Sequence, residues 1–210
     1  NITNMSNNTE AWYRKLFPTS HRIFLNKMII EMATEVTGEV LVIGAGFGRY
    51  KALFKNAERV VNTDISLLPN IDYIADAHSL PFADNSFDTI IAFEVFEHLK
   101  DPKTASDEIF RVLRPQGSAY ISIPFMFRVH ADPDDYTRFT RHGLIKLFDK
   151  FKLVNIQAFG NSFHVVSDII TTRAKIFFFL RVFNHLFSFF GFKVKKNYDC
   201  PSGYFVLLKK

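Results

Sequence analysis

The stretch EVLVIGAGFGRY, residues 39–50, restricts the folds open to this chain more than any other. Val40 to Ile43 suit a strand buried on both faces, and they run straight into Gly44, Gly46 and Gly48. Glycine has no Cβ, so it turns where other residues cannot and lets another group approach the main chain closely. A buried strand that ends in such a turn is the opening unit of a doubly wound sheet, whose ligands sit beyond the carboxyl ends of its strands.

The pattern downstream agrees with that architecture. Apolar residues recur at helical spacing over residues 20–36 (Ile23, Leu25, Met28, Ile29, Met32, Val36), and Gly38 is a fitting stop. After the glycines, residues 49–54 read as the start of a helix. Strands are expected at residues 59–63 and 71–74, and the apolar run FDTIIAF at 87–93 suits a strand covered on both faces. Asp101-Pro102 reads as a cap and first helical residue, with the helix running to about Leu113 and ended by RPQG. A strand at 118–123, a helix at 140–148 and strands at 153–158 and 203–208 complete the alternation. Strands alternating with helices predict an α/β, doubly wound, mostly parallel sheet. The organisation expected is a tail over residues 1–19 and one domain over 20–210, with an insertion at 161–199.

The glycines are spaced G-x-G-x-G. A dinucleotide fingerprint places its third glycine at position 49, which is Arg49 here. Asp64 closes the strand VVNTD twenty positions after Gly44, the usual separation for a carboxylate that holds ribose hydroxyls. Asp76, just past the third strand, is placed to accept from an adenine amino group. Each aspartate alone reads equally as a turn former.

VLVIGAGFG, VVNTD, DAHSLPFADNSFD, FEVFEHLKDP and RVLRPQGSAYISIP, in this order over residues 38–124, resemble the class I S-adenosylmethionine-dependent methyltransferases, in particular the type 11-like family. The resemblance implies a seven-stranded, Rossmann-like sheet whose last strand runs antiparallel. It implies S-adenosylmethionine as cofactor, with Gly44, Ala45, Gly46 and Gly48 along its methionine part, Asp64 and Ile65 at the ribose, Asp76 and Ala77 beside the adenine, and Phe93 and Glu94 closing the pocket. One position departs. Where the family often has an acidic residue two before the first glycine, this chain has Val42. Glu39 falls on the opposite face by strand alternation, so backbone carbonyls and groups after the fourth strand must serve the cofactor's amino-acid end.

Residues 123–143, IPFMFRVHADPDDYTRFTRHG, leave the carboxyl edge of the sheet, where loops meet substrate. Their candidates for acceptor chemistry are His130, Asp135 and Tyr136. A solvated loop histidine and turn-forming Asp134 and Asp135 are the plain alternatives, with Arg138 pairing Asp135 on the surface. His98 is another potential base, or a residue helping to start the next helix. His130 with Asp132 and Asp134 lacks a definite ligand geometry, so no metal is expected. The loop also resembles one in methyltransferases of bacterial surface-polysaccharide synthesis, which implies a sugar or sugar-lipid acceptor.

About forty residues separate the last two strands, where the family often has a short connection. They include KIFFFLRVFNHLFSFFGFKVKK, residues 175–196, which houses many of the chain's 25 phenylalanines. The apolar run at 176–192 is interrupted by Arg181 and is short for a membrane span. A helix packed on the domain, a homodimer interface through 175–192, and a peripheral membrane or lipid-substrate element all remain open. The net charge of +5 is spread along the chain and gives no reason to expect nucleic acid. The single cysteine, Cys200, fits a reducing compartment, and the polar N-terminus has no signal pattern. The glycosylation triplets at Asn1, Asn4 and Asn7 are then read as a polar tail, and a cytoplasmic location is expected. The function expected is methyl transfer from S-adenosylmethionine to a small-molecule, sugar or lipid-linked acceptor, most simply at oxygen. The alternatives are a nicotinamide-dependent oxidoreductase on a similar sheet, disfavoured by Arg49, and a non-catalytic cofactor-binding module, favoured by Val42.

Overall fold

A computed structural model describes residues 18–130, 134–173 and 200–210. The tail to residue 17, Asp132, and the phenylalanine-rich segment at 175–196 lie outside the described residues. The described residues form two compact units, one of residues 18–27, 126–128, 158–173 and 200–203, and a larger one of 28–125, 129–130, 134–157 and 204–210.

Helix α1 spans Ser20–Ala33. Seven strands follow: β1 Gly38–Ile43, β2 Ala57–Asp64, β3 Tyr73–Ile74, β4 Phe87–Phe93, β5 Leu113–Pro124, β6 Leu153–Phe159 and β7 Gly203–Lys209. Helices α2 Pro102–Val112, α3 Arg141–Leu147 and α4 Ser162–Arg173 lie between them in sequence. The sheet order is β3-β2-β1-β4-β5-β7-β6. Strands β1 to β5 pair in parallel, with Val40 opposite Thr89 and Ile43 opposite Ala92. Strand β7 is reversed: Lys210 N–H donates to Gly117 O, where β5 begins, while Tyr204 packs on Phe125, where β5 ends. The sheet is therefore mostly parallel with an antiparallel final strand.

The buried runs explain the middle of the sheet. Val40, Leu41, Ile90, Ile91, Ala119 and Ile121 are all fully buried, and each leaves water at a gain of about 1.5–3 kcal/mol for a large side chain. The strand order turns back between β1 and β4, so the chain departs to opposite sides there and leaves a crevice at the carboxyl edge.

Two local expectations are corrected. Residues 49–54 form turns and one 3-10 turn, Lys51–Leu53, instead of opening an α-helix. Tyr50 offers no side-chain cap, and β2 begins at Ala57, so the connection has no room to propagate a helix. Helix α2 stops at Val112, as expected, but the next strand begins at once at Leu113 and not at 118, so RPQG is no connection between them. It is a bulge inside β5: Phe87 pairs with Leu113 and Thr89 with Ser118, and Gln116 takes φ +70 within the extra loop of chain. Asp101 does cap α2, accepting from Lys103 N–H and Thr104 N–H, with Pro102 at the first helical position.

In the smaller unit, Asp168 of α4 accepts from Ser20 N–H at 2.8 Å and His21 N–H at 2.9 Å. These are orphan donors at the start of α1, so a carboxylate distant in sequence caps that helix. His21 Nδ1 meets Ser202 Oγ at 2.7 Å, and the His21 ring packs on Phe127 and Phe159. Burial pushes the Asp168 carboxyl up, against the pull of those two N–H groups.

Candidate active site at the carboxyl edge of the sheet

The turn after β1 is built around left-handed glycines. Gly44 has φ +63, and a Cβ on it would stand 2.5 Å from Val95 Cγ2, so a larger residue is excluded by both backbone and neighbour. Gly46 has φ +54, and a Cβ on it would meet nothing within 4 Å. Its main chain thus faces open space. Ala45 N–H is tied to Thr63 O at 2.9 Å, which anchors the turn to β2.

Asp64 stands beside this turn. Its Oδ2 accepts from Gly46 N–H at 2.9 Å and its Oδ1 from Ser66 N–H at 3.0 Å. The carboxylate is aimed by two main-chain donors, and each oxygen keeps a lone pair for another donor. Ile65 follows, 60% exposed, an apolar surface next to that carboxylate. Asp76 Oδ1 accepts from His78 N–H at 2.9 Å and pairs with His78 Nδ1 at 2.5 Å. The His78 N–H is the largest cause holding the Asp76 carboxyl below its ordinary range. His78 Nε2 accepts from Asp101 N–H at 3.2 Å, so Nδ1 carries the proton and the ring links the β3 turn to the start of α2. Ala77 is buried beside it.

Beyond β4, Phe93 is buried with its edge toward Tyr50 at 5.4 Å and its ring tilted on Phe205. Glu94 takes φ +56, an uncommon conformation for glutamate that recurs at functional positions. Its N–H donates to Ser122 O, and Ser122 Oγ–H donates to Glu94 Oε1 at 2.8 Å. Val42 is buried, and its carbonyl accepts from Thr63 Oγ1. Glu39 pairs with Arg59 near the opposite end of β1 and takes no part in this edge. Glu94, one residue past β4 and next to Val95 against Gly44, is the carboxylate nearest in sequence to the turn's neighbour.

A second cluster lies after β4 and β5. The 3-10 turn Phe96–His98 is anchored by Phe96, fully buried and edge-on to Phe148 at 5.4 Å. That anchoring turns Glu97 inward: its side chain is 0% exposed, and neither carboxylate oxygen has a hydrogen-bond partner among the described residues. Burial first, then the Glu94 carboxylate, push its pKa well above the usual carboxylate range. Glu97 O accepts from Tyr136 N–H at 2.8 Å and Thr137 N–H, which ties the later loop to this turn. His98 Nδ1 bonds to Asp134 O, and its Nε2 lies 3.6 Å from Glu97 Oε1. The His98 and His130 rings are edge to face at 5.1 Å.

The structure therefore brings His130 to His98 and Glu97. Asp135 holds it there, accepting from His130 N–H at 2.8 Å, and is itself paired with Arg138. Arg138 is the chief cause holding the Asp135 carboxyl down at about 2. Tyr136 is different: it is 46% exposed and its hydroxyl donates to Asp134 Oδ2 at 2.9 Å. Sequence reading passed over Glu97 and His78. The spacing E-x-x-E-H at 94–98 was the available signal for Glu97, since it sets a second glutamate one turn after the first.

A seven-stranded sheet in this order, a glycine turn at its switch point and an aspartate closing the next strand define the class I, S-adenosylmethionine-dependent methyltransferase fold. Residues 41–121 match the family model described as a methyltransferase domain. A demethylmenaquinone methyltransferase of Renibacterium salmoninarum is 34% identical over 108 residues, 46% of this chain and 46% of that protein. The O-methyltransferase rstn1 of Aspergillus nomiae is 31% identical over 134 residues, 55% of this chain and 60% of that one. The chain thus spans about half the length of the curated relatives it matches. Among solved structures, a SAM-dependent methyltransferase from Archaeoglobus fulgidus superposes with a TM-score of 0.61 at 19% identity, covering 96% of this chain and 99% of that one, a likeness of fold. Among the described residues, no helix is long and apolar enough to cross a membrane.

Proposed function

We propose that the chain transfers a methyl group from S-adenosylmethionine to a hydroxyl of a small-molecule, sugar or lipid-linked acceptor. The observation that carries this reading is the open main chain at Gly46 bonded directly to Asp64. The glycine turn leaves space that any Cβ at Gly46 would enter, and Asp64 is already oriented with lone pairs to spare, so these residues fit an adenosyl cofactor. Gly44, Ala45, Gly46 and Gly48 would line its amino-acid part, Asp64 and Ile65 its ribose, and Asp76 and Ala77 its base. Phe93 and Glu94 would close the pocket, with Glu94 in the part left by Val42.

Bound S-adenosylmethionine supplies a methyl carbon already activated by its sulfonium. The chain's contribution is then position and dryness, which together account for up to about 7–11 kcal/mol of barrier lowering. Phe93, buried, and Val95, packed at Gly44, would shield the bound group from water on that side. His130, held by Asp135, would receive the hydroxyl proton, and Tyr136 is exposed nearby in sequence. The name of the Aspergillus relative supports oxygen as the acceptor atom.

The test is methyl transfer from radiolabelled S-adenosylmethionine by the full chain to a panel of alcohols, phenols, sugars and amines. Label is expected on hydroxyl compounds, with His130→Ala lowering kcat while cofactor affinity stays. Label appearing on carbon or amine nitrogen alone would contradict the proposal.

A further inference from the structure

Glu97 raises a question that methyl transfer leaves unanswered. Its carboxylate is wholly buried, has no hydrogen-bond partner among the described residues, and faces two imidazoles. The protonation of His98 makes the arrangement sharper. Nδ1 bonds to the backbone carbonyl of Asp134, an oxygen that only accepts, so Nδ1 carries the proton. In the neutral ring Nε2 then presents a lone pair, and it points at Glu97 Oε1 from 3.6 Å. Two such atoms facing each other in a buried place take up a positive centre, a proton on Glu97 or a metal ion, and the third side chain beside them favours the ion. His130 completes the group: one potential ligand atom from each of Glu97, His98 and His130 lies within 4.8 Å of the others. Around a tetrahedral ion with bonds of about 2.0–2.2 Å, ligand atoms stand about 3.3–3.6 Å apart, so closure needs only small side-chain shifts.

We propose that Glu97, His98 and His130 bind a divalent first-row transition-metal ion, with coordination positions left open at the carboxyl edge of the sheet. Two imidazoles and one carboxylate suit zinc, iron or manganese better than calcium or magnesium. The surroundings match a metal site beyond the ligands themselves. The Asp134 carbonyl orients His98, and Asp135 orients His130, with 3.4 Å between its Oδ2 and Nδ1. Resting on the methyl-transfer reading, the open positions would take the acceptor hydroxyl and make it more acidic, so the loss of turnover expected for His130→Ala holds equally with His130 as a ligand.

The test uses the full chain, freed of metal with a chelator and then titrated with zinc chloride by calorimetry, beside a separate titration with S-adenosylhomocysteine. One zinc ion per chain is expected, with binding weakened at least about tenfold in Glu97→Gln and in His98→Ala. Imidazole nitrogen shifts of the unaltered protein, followed by NMR, should move for His98 and His130 on adding zinc, which reports on the site even if a variant does not fold. Unmoved imidazole signals, or zinc binding that persists unchanged in folded variants, would overturn the proposal. Zinc binding without S-adenosylhomocysteine binding would keep the metal site and sink the methyl-transfer reading instead.

Discussion

At the scale of the residue, Asp64 does two jobs with one carboxylate. It aims itself through Gly46 N–H and Ser66 N–H, and it keeps lone pairs toward the open side of the turn. Asp64→Ala should weaken S-adenosylhomocysteine binding by about 1.5–3 kcal/mol, the worth of hydrogen bonds to a charged group, read by calorimetry. Asp64→Asn should lose less, because its carbonyl oxygen still accepts from Gly46 N–H. An unchanged affinity in Asp64→Ala would place the ribose elsewhere. The residues proposed to face the cofactor were picked out in sequence because each sits at a fixed offset from a strand end. For Glu97 the spacing E-x-x-E-H marked a second glutamate but not its burial, because spacing does not tell which way a 3-10 turn rotates. Only the packing of Phe96 on Phe148 sets that rotation.

At the scale of the element, caps and ion pairs hold the helices in place. Asp168 caps α1 from α4, so Asp168→Ala should lower unfolding stability by about 2 kcal/mol, measured with urea. A change within experimental error would mean that water replaces the carboxylate there. On α2, Glu108 grips Arg111 through both its oxygens and also accepts from Leu80 N–H. Arg111 is the main cause holding the Glu108 carboxyl below its ordinary 4.5. A lowered native pKa means that the unfolded chain binds the proton more readily. The resulting stability is complete above pH 4.5 and disappears as the pH falls through the native value. Glu108→Gln should therefore cost about 1–2 kcal/mol at neutral pH and converge with the unaltered protein in acid, followed by urea unfolding at a series of pH values. Parallel curves across that range would refute the assignment. Helix α2 was readable from Asp101-Pro102 because its cap is local. The bulge at RPQG was not readable, since proline and glycine stop a helix and interrupt a strand with the same letters. The 3-10 turn at Lys51–Leu53 was misread because residues favouring a helix had no length in which to build one.

At the scale of the molecule, the sheet order places a glycine turn, the Asp64 carboxylate beside it and the cluster of buried Glu97 with half-buried His98 and His130 along one edge of the larger unit. The parallel half was legible because strands covered on both faces are written as unbroken apolar runs, as in FDTIIAF. The reversal of β7 was implied only by the family resemblance, since the pattern of an apolar strand says nothing of its direction. The account's central claim is that the crevice beside Gly46 and Asp64 holds an adenosyl cofactor of the methionine type. Calorimetric titration of the full chain with S-adenosylhomocysteine, and in parallel with NAD, tests this most directly. The account predicts one saturable site for S-adenosylhomocysteine and none for NAD. Saturable NAD binding with no heat from S-adenosylhomocysteine would contradict it.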